Sequence, residues 1–294
     1  MTSRKKFSIK LRSQTLVLGE RTLVMGVLNV TPDSFSDGGK FLDTKRAIEH
    51  ALAMERDGAD LLDIGGESTR PGSRGTAAEE ELARILPVLE GLRGRVRIPL
   101  SVDTQKFEVA EIAITTGAEM INDISGLKSD PRIAEVAARH GVPLILMHMR
   151  GKPRTMQKGP FAHDVLRDVT QGLRRSIATA RKAGVRKSQI ILDPGIGFGK
   201  SFSQNYELLR KLPELAKLGF PLMVGTSRKG FLGATLARDG KLAPPEERIW
   251  GAAATVTASI LGGADIVRVH DVAEMVQVAR VADCVIDRQI RPQN

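Results

Sequence analysis

Eight short apolar runs rich in Val, Ile and Leu recur along the chain, each followed by an amphipathic stretch. They are Leu23 to Val30, Leu61 to Gly65, Ile98 to Val102, Met120 to Ile124, Pro143 to His148, Ile190 to Asp193, Pro221 to Gly225 and Asp265 to Val269. Between them apolar residues fall three and four apart, as in Leu166, Val169, Leu173 and Ile177, which predicts helices. Gly58, Gly117, Gly141, Gly184, Gly219 and Gly263 stand where those helices should stop. Strands joined by crossover helices must pair in parallel, and eight such units predict an α/β fold, the (β/α)8 TIM barrel. The rival, an open doubly wound sheet, carries a Gly-rich turn after its first strand. Here that strand runs into Asn29-Val30-Thr31-Pro32-Asp33 instead. Residues 1–22 alternate like a hairpin (Phe7, Ile9, Leu11; Leu16, Leu18) and are expected to close the bottom of the barrel, with residues 23–290 as one domain.

Composition narrows the class. The 294 residues are 41 % hydrophobic and 27 % charged, ordinary for a folded chain with a large core. No run approaches the roughly 18 apolar residues of a membrane span, and the basic N-terminus lacks the apolar stretch of a signal peptide. One cysteine, Cys284, cannot form an internal disulfide or a thiolate zinc site, which fits a cytoplasmic protein. The net charge of +10 leaves two readings, nucleic acid or anionic small molecules. With 4 % aromatic residues there is little to stack on bases, so nucleic acid is disfavoured.

In such a barrel catalytic groups sit at the C-terminal strand ends. Those ends read Asn29; Asp63 with Glu67 to Arg70; Asp103; Asn122-Asp123; His148; Asp193; Ser227-Arg228-Lys229; and Arg268 with His270. Turn formation accounts for one polar strand end, whereas eight with complementary charges predict a functional cluster. Gly195-Ile196-Gly197-Phe198-Gly199-Lys200-Ser201 looks like a phosphate loop but fails both tests. A Walker sequence needs Gly where Pro194 stands, and a dinucleotide fingerprint needs Gly where Phe198 or Lys200 stands. What remains is a Gly-rich loop that brings backbone and Phe198 close to a ligand. The histidines lack metal-ligand spacing.

Val27 to Gly39 (Val-Leu-Asn-Val-Thr-Pro-Asp-Ser-Phe-Ser-Asp-Gly-Gly) and Asp63 to Gly72 (Asp-Ile-Gly-Gly-Glu-Ser-Thr-Arg-Pro-Gly) resemble the two signatures of the dihydropteroate synthase family. Ser101 to Thr104, Ile121 to Gly126, Leu146 to Met149, Asp193 to Lys200, Gly225 to Lys229 and Arg268 to Asp271 are similar to its other blocks, so the likeness spans about residues 23 to 285. It implies an enzyme of folate biosynthesis that joins 6-hydroxymethyl-7,8-dihydropterin pyrophosphate to 4-aminobenzoate with Mg2+. Asp193, Asn122 and Lys229, with Asp103, would meet the edge of the pterin. Asn29, Thr69, Arg268 and His270 would hold the pyrophosphate, Asn29 being the protein ligand of Mg2+, and Asp37 would stabilise a carbocation. Phe35, Pro71, Phe198 and the Lys229 stem would wall the aminobenzoate, whose carboxylate Ser227 would hold. Arg70 would touch substrate, and Met147 is either a ceiling for the pterin or core. The family resemblance also implies a homodimer built on the last helices, without nucleic-acid or membrane partners. A related pterin-binding methyltransferase would need neither the Asn29 to Gly39 segment nor an anion cluster at Arg268 and His270.

Other residues read as structural. Asp63 and Asp123 are expected to orient loops, His148 to pack or to support the residues that touch substrate, and Cys284 to be a small buried hydrophobe of the last helix. Residues 150–187 hold 11 Lys or Arg against two Asp, nearly the whole net charge. Arg167, Arg174, Arg175, Arg181 and Lys182 form one helical stripe opposite Leu166, Val169, Leu173 and Ile177, a solvated face. Arg150 to Lys158 follow the fifth run and should stand on the catalytic face, where they would steer anions.

Overall fold

The computed structural model describes residues 4–31, 40–68, 73 and 75–286. A two-stranded antiparallel hairpin, β1 (Phe7–Lys10) and β2 (Thr15–Leu18), precedes eight parallel strands. These are β3 (Leu23–Asn29), β4 (Leu61–Gly65), β5 (Leu100–Asp103), β6 (Met120–Asp123), β7 (Leu144–Met147), β8 (Ile190–Asp193), β9 (Met223–Val224) and β10 (Ile266–Val269). Their order is β8-β7-β6-β5-β4-β3-β10-β9, and a parallel bridge between Leu192 and Leu222 links the two ends. All eight runs are strands of one nearly closed barrel, which excludes the open sheet.

The helices lie outside: α1 (Lys40–Arg56), α2 (Ala78–Leu92), α3 (Phe107–Thr116), α4 (Ile133–His140), α5 (Val165–Lys182), α6 (Phe202–Arg210), α7 (Leu212–Ala216), α8 (Gly230–Thr235), α9 (Ile249–Leu261) and α10 (Val272–Ile286). All six glycines expected to stop helices have positive φ, and Gly117 and Gly141 are the C-cap residues of α3 and α4. Asp164 caps α5 by accepting from the Arg167 N–H, and Ser201 caps α6 in a capping box with Gln204. The basic stripe of α5 is exposed while Val169, Leu173 and Ala180 are buried beneath it.

Strand alternation builds the interior in layers. Val24, Leu62, Val102, Ile121, Leu144, Leu192 and Val267 belong to the apolar layer shared with the helices. Leu23, Met25, Leu61, Met120, Ile145, Ile191, Met223 and Ile266 pack instead with Ile9, Leu11, Leu16 and Leu18 of the hairpin, so the arm plugs the bottom as its alternation predicts. Two residues further along β4, β6, β8 and β10, the same inward positions are Asp63, Asn122, Asp193 and Arg268. The barrel thus changes from apolar to polar within one strand repeat.

One expectation fails. Cys284 is exposed, because α10 buries Val272, Met275, Val276, Ala279 and Ala282, and position 284 falls away from that stripe. Val281 and Val285 beside it are exposed as well, at 67 % and 56 %. No described helix is long and apolar enough to cross a membrane.

Candidate active site

The polar layer is one bonded network. Arg268, at the third position of β10, donates from Nε to Asp63 Oδ2 at 2.6 Å and from Nη2 to Asp103 Oδ2 at 2.8 Å. Asp63, fully buried on β4, also accepts from Asn122 Nδ2 at 2.8 Å. A carboxylate at this position only accepts, so the Asn122 amide must turn its nitrogen to Asp63 and its oxygen away. That oxygen, Asn122 Oδ1, is buried without a hydrogen-bond partner and belongs to a residue lining the inner recess. Asp63 therefore orients the side chains of the site, Asn122 and Arg268, rather than a loop as its strand-end position predicts. Asp123 does serve its loop, accepting from the Ser125 and Leu127 N–H groups at 2.8 and 2.6 Å.

Two connected spaces open above this layer. The inner recess, about 40 Å3, is lined by Asp103, Asn122, Met147, Asp193, Phe198, Lys229 and Arg268 among others. Met147 packs there with Ile124, Met149, Met156 and Phe198, so it is both wall and core. The outer cavity, about 770 Å3, shares Ser227, Lys229, Arg268 and His270 with the recess and adds Asn29, Thr31, Ser68, Met156 and Gln157. Thus Asn29, Asp103, Asn122, Met147, Asp193, Phe198, Ser227, Lys229, Arg268 and His270 are brought together as the sequence predicts. Phe35, Asp37, Thr69, Arg70 and Pro71 lie outside the described residues.

Burial sets the electrostatics. Desolvation raises the Asp193 carboxyl above the usual range, against the lowering pull of the Gly195 N–H and of Lys229 and Lys200. It raises Asp103 too, with Arg268 pulling the other way and Asp63 adding to the rise. Desolvation and then the Arg268 charge bring the Lys229 ammonium down to about 8. Lys229 Nζ lies 4.0 Å from the Phe198 ring centroid, a cation–π contact. Ser227 Oγ accepts from the His270 backbone N–H at 3.2 Å and sits 3.0 Å from His270 Nδ1, joining the ends of β9 and β10.

Three features escaped the sequence reading. Lys200 is not solvent-facing but buried, with Nζ bonded to backbone carbonyls. Glu81, at an apolar position of α2, is fully buried and paired with Lys106, which also donates to Glu67 Oε2 at 2.5 Å. Glu67 Oε1 in turn accepts from the Thr76 N–H at 3.1 Å, tying down the base of the loop after β4. The glutamate four residues before Ile85 in the apolar stripe was the signal available. Finally, the segment after β7 folds over the cavity, Gln157 Nε2 donating to the Gly197 carbonyl at 2.7 Å.

Among the described residues no three His, Cys, Asp or Glu side chains converge as a metal cluster. The donor set fits a hard cation held largely by its ligand: Asn29, at the end of β3, lines the outer cavity beside Thr31 and Ser68. One neutral oxygen donor suits Mg2+, which keeps waters and binds through substrate phosphates.

An inward carboxylate, an amide oriented as an acceptor and a buried cation stand together above a plugged barrel, a set that presents acceptors and a donor to a polar small molecule. The chain belongs to the pterin-binding enzymes: a family profile described as "Pterin binding enzyme" matches residues 25–270. Within that family it groups with the dihydropteroate synthases. It is 52 % identical over 265 residues to the dihydropteroate synthase of a Synechocystis strain, covering 90 % of each chain. The Xanthomonas albilineans dihydropteroate synthase with 4-aminobenzoic acid superposes with a TM-score of 0.88 at 42 % identity, over 96 % of this chain and 99 % of that one. The same enzyme in complex with 7,8-dihydropteroate gives 0.85 at 40 % identity, over 95 % and 99 %.

Proposed function

We infer that this chain condenses 6-hydroxymethyl-7,8-dihydropterin pyrophosphate with 4-aminobenzoate, giving 7,8-dihydropteroate and pyrophosphate in folate biosynthesis. The observation that carries the reading is the Asn122 oxygen, buried, unpartnered and oriented by Asp63, in the wall of the recess that Asp193 also lines. Two acceptors in one recess match the N–H edge of a pterin, and Lys229 supplies a donor for its carbonyl.

The edge of the ring would enter the recess against Asn122 and Asp193, its body and the pyrophosphate lying in the outer cavity, the latter against Arg268, His270 and Asn29. Mg2+ on Asn29 would neutralise charge on the departing diphosphate. The C–O bond to the pterin methylene breaks, its electron pair leaving with pyrophosphate. The arylamine nitrogen then bonds to that carbon and gives up one proton. Arg268 stabilises negative charge where it develops while Asp63 and Asp103 keep its plane fixed. Phe198 and the Lys229 stem form one wall for the arylamine. Release of pyrophosphate from the pterin substrate, dependent on 4-aminobenzoate, tests the reading, and absence of release with the purified chain refutes it. We further place the protein in the cytoplasm as a homodimer, for which exposed Trp250 and Leu261 on α9, with Val281 and Val285 on α10, supply an apolar face.

Two expected outcomes follow from charge. Lys229 loses its proton near pH 8 in the free protein. If the charged form binds substrate, kcat/KM for the pterin pyrophosphate falls as pH rises through about 8. The limb in kcat lies at higher pH, because the bound anion restores the ammonium. A pH–rate series on the wild type and on Lys229→Met, which should lack this limb, checks it.

Of the basic segment, Arg150 is already paired with Asp168 at 3.1 Å, while Lys152, Arg154 and Lys158 are exposed. Changing those three to Gln should slow association of the pterin pyrophosphate at low salt by roughly three- to tenfold and flatten its salt dependence. Stopped-flow association rates at several ionic strengths decide it, an unchanged slope excluding steering.

A further inference from the structure

The Gly195 to Ser201 segment mimics a phosphate loop in sequence, yet the reaction proposed above uses only its Phe198. Its conformation shows what the glycines do. Gly195, Gly197 and Gly199 have φ of 66°, 86° and 67°. A Cβ on Gly195 would lie 2.0 Å from the His148 carbonyl oxygen, and one on Gly199 2.1 Å from that of Arg150. The loop is therefore pressed against backbone just beyond β7, which only glycine permits.

In a phosphate loop, N–H groups turn inward around an anion. Here carbonyl oxygens turn inward around a cation, and the cation is the chain's own. Lys200 Nζ donates to the carbonyls of Gly195, His148 and Phe198 at 2.8, 2.9 and 3.0 Å, with His148 Nδ1 at 3.1 Å. Burial and then the Lys200 charge keep His148 neutral, so Nδ1 is an acceptor and the ring proton sits on Nε2. Lys200 is 2 % exposed, and every one of these partners is a dipole rather than a carboxylate.

We propose that Lys200 is a positioning residue for the arylamine subsite, its ammonium clamping the carbonyl-lined loop so that Phe198 stands against Lys229. The clamp grips both ends of the Gly195 to Phe198 turn, and the middle is held by Gln157 on the Gly197 carbonyl and by Asn205 Oδ1 accepting from the Gly197 N–H at 2.6 Å. Gly197 backs directly on the Lys229 stem, whose Cδ lies 3.0 Å from where a Cβ would stand. Asp193, by contrast, is not bonded to the ammonium: it accepts from the Gly195 N–H at 2.7 Å, and the Lys200 charge acts on it less than that bond or the Lys229 charge does. Loss of the ammonium is therefore felt at the Phe198 wall more than at the pterin edge. The inference rests on the assignment of Phe198 and Lys229 to the arylamine wall.

The experiment uses the full chain with Lys200→Met, which keeps most of the stem, and Lys200→Ala, which leaves room for a small amine. In both, KM for 4-aminobenzoate should rise about tenfold or more, as for loss of charged hydrogen bonds, with kcat and calorimetric affinity for the pterin pyrophosphate within about threefold. Propylammonium, but not propanol, should lower KM again in Lys200→Ala. An unchanged KM in a folded variant, an equal loss of pterin affinity, or no rescue by propylammonium overturns the proposal. So does loss of the cooperative thermal transition in both variants, which would make Lys200 a pin of the whole fold. A wild-type chain that releases no pyrophosphate overturns the proposed reaction as well, whereas an active wild type with unaltered variants overturns the clamp alone.

Discussion

Replacing Asp193 by alanine should abolish measurable pterin binding while leaving the barrel folded. The carboxylate ends β8, is 5 % exposed, and has one oxygen engaged by the Gly195 N–H at 2.7 Å. The other is available to the ring donors, which have no water to turn to once the recess is filled. Losing a charged acceptor and stranding its donors costs about 3 to 5 kcal/mol, a drop of roughly 100- to 4,000-fold in affinity. Asp193→Asn should be nearly as damaging despite its equal volume, because an amide presents N–H where the ring needs an acceptor. Titration calorimetry with the pterin pyrophosphate reads both variants. Affinity within threefold of wild type in Asp193→Ala would show that the ring binds elsewhere.

The second large effect concerns stability. Arg268→Leu leaves Asp63 and Asp103 facing each other without the guanidinium that pairs with both. Breaking a buried pair from one side typically costs about 3 to 5 kcal/mol, because a charge stays behind unpaired. In a chain of this size that should lower Tm by about 10 °C. The sign of the pH dependence follows from the carboxyls. Burial already raises Asp103, and removing Arg268 removes the main influence pulling it back. A carboxyl with a folded pKa above its unfolded one is destabilising above the folded value and is relieved as pH falls, since the folded state takes up the proton first. The deficit of Arg268→Leu should therefore be largest at pH 8 and shrink by pH 5. Adding Asp63→Asn should restore part of the stability at pH 8 but none of the pyrophosphate release. Thermal melts across pH check this, and a deficit that grows on acidification would refute the assignment.

These two variants also mark where the sequence was readable. Asp193 was placed at a polar strand end by the pattern of the chain, and its part at the pterin edge was implied by the family resemblance. The bonding of Arg268 was not legible, since its partners lie 205 and 165 residues away along the chain. Asp63 illustrates the difference. Its strand position was legible, but its part in fixing the Asn122 amide appears only when β4, β6 and β10 are closed around one axis. Cys284 shows the opposite error: residue type makes cysteine a buried hydrophobe, whereas the helix face it occupies turns it outward. Glu81, which the sequence analysis leaves unread, is turned inward beside Lys106 by its place in the apolar stripe of α2.

By itself the sequence determined the eight-unit barrel, the hairpin plug, the solvated stripe of α5 and the polar strand ends that became the site. All of these follow from period 2 and period 3.6 patterning, which is local along the chain. Tertiary structure alone decided which polar groups pair, which acceptor is left open to a ligand, and which way the Gly195 to Ser201 loop turns its backbone. Such choices depend on which groups meet across the barrel and on how much water is excluded there. Lys200 carries the lesson furthest: the lysine of a segment that only looks like a phosphate loop is turned by three glycines toward carbonyls of its own chain, where burial brings its ammonium down to about 7.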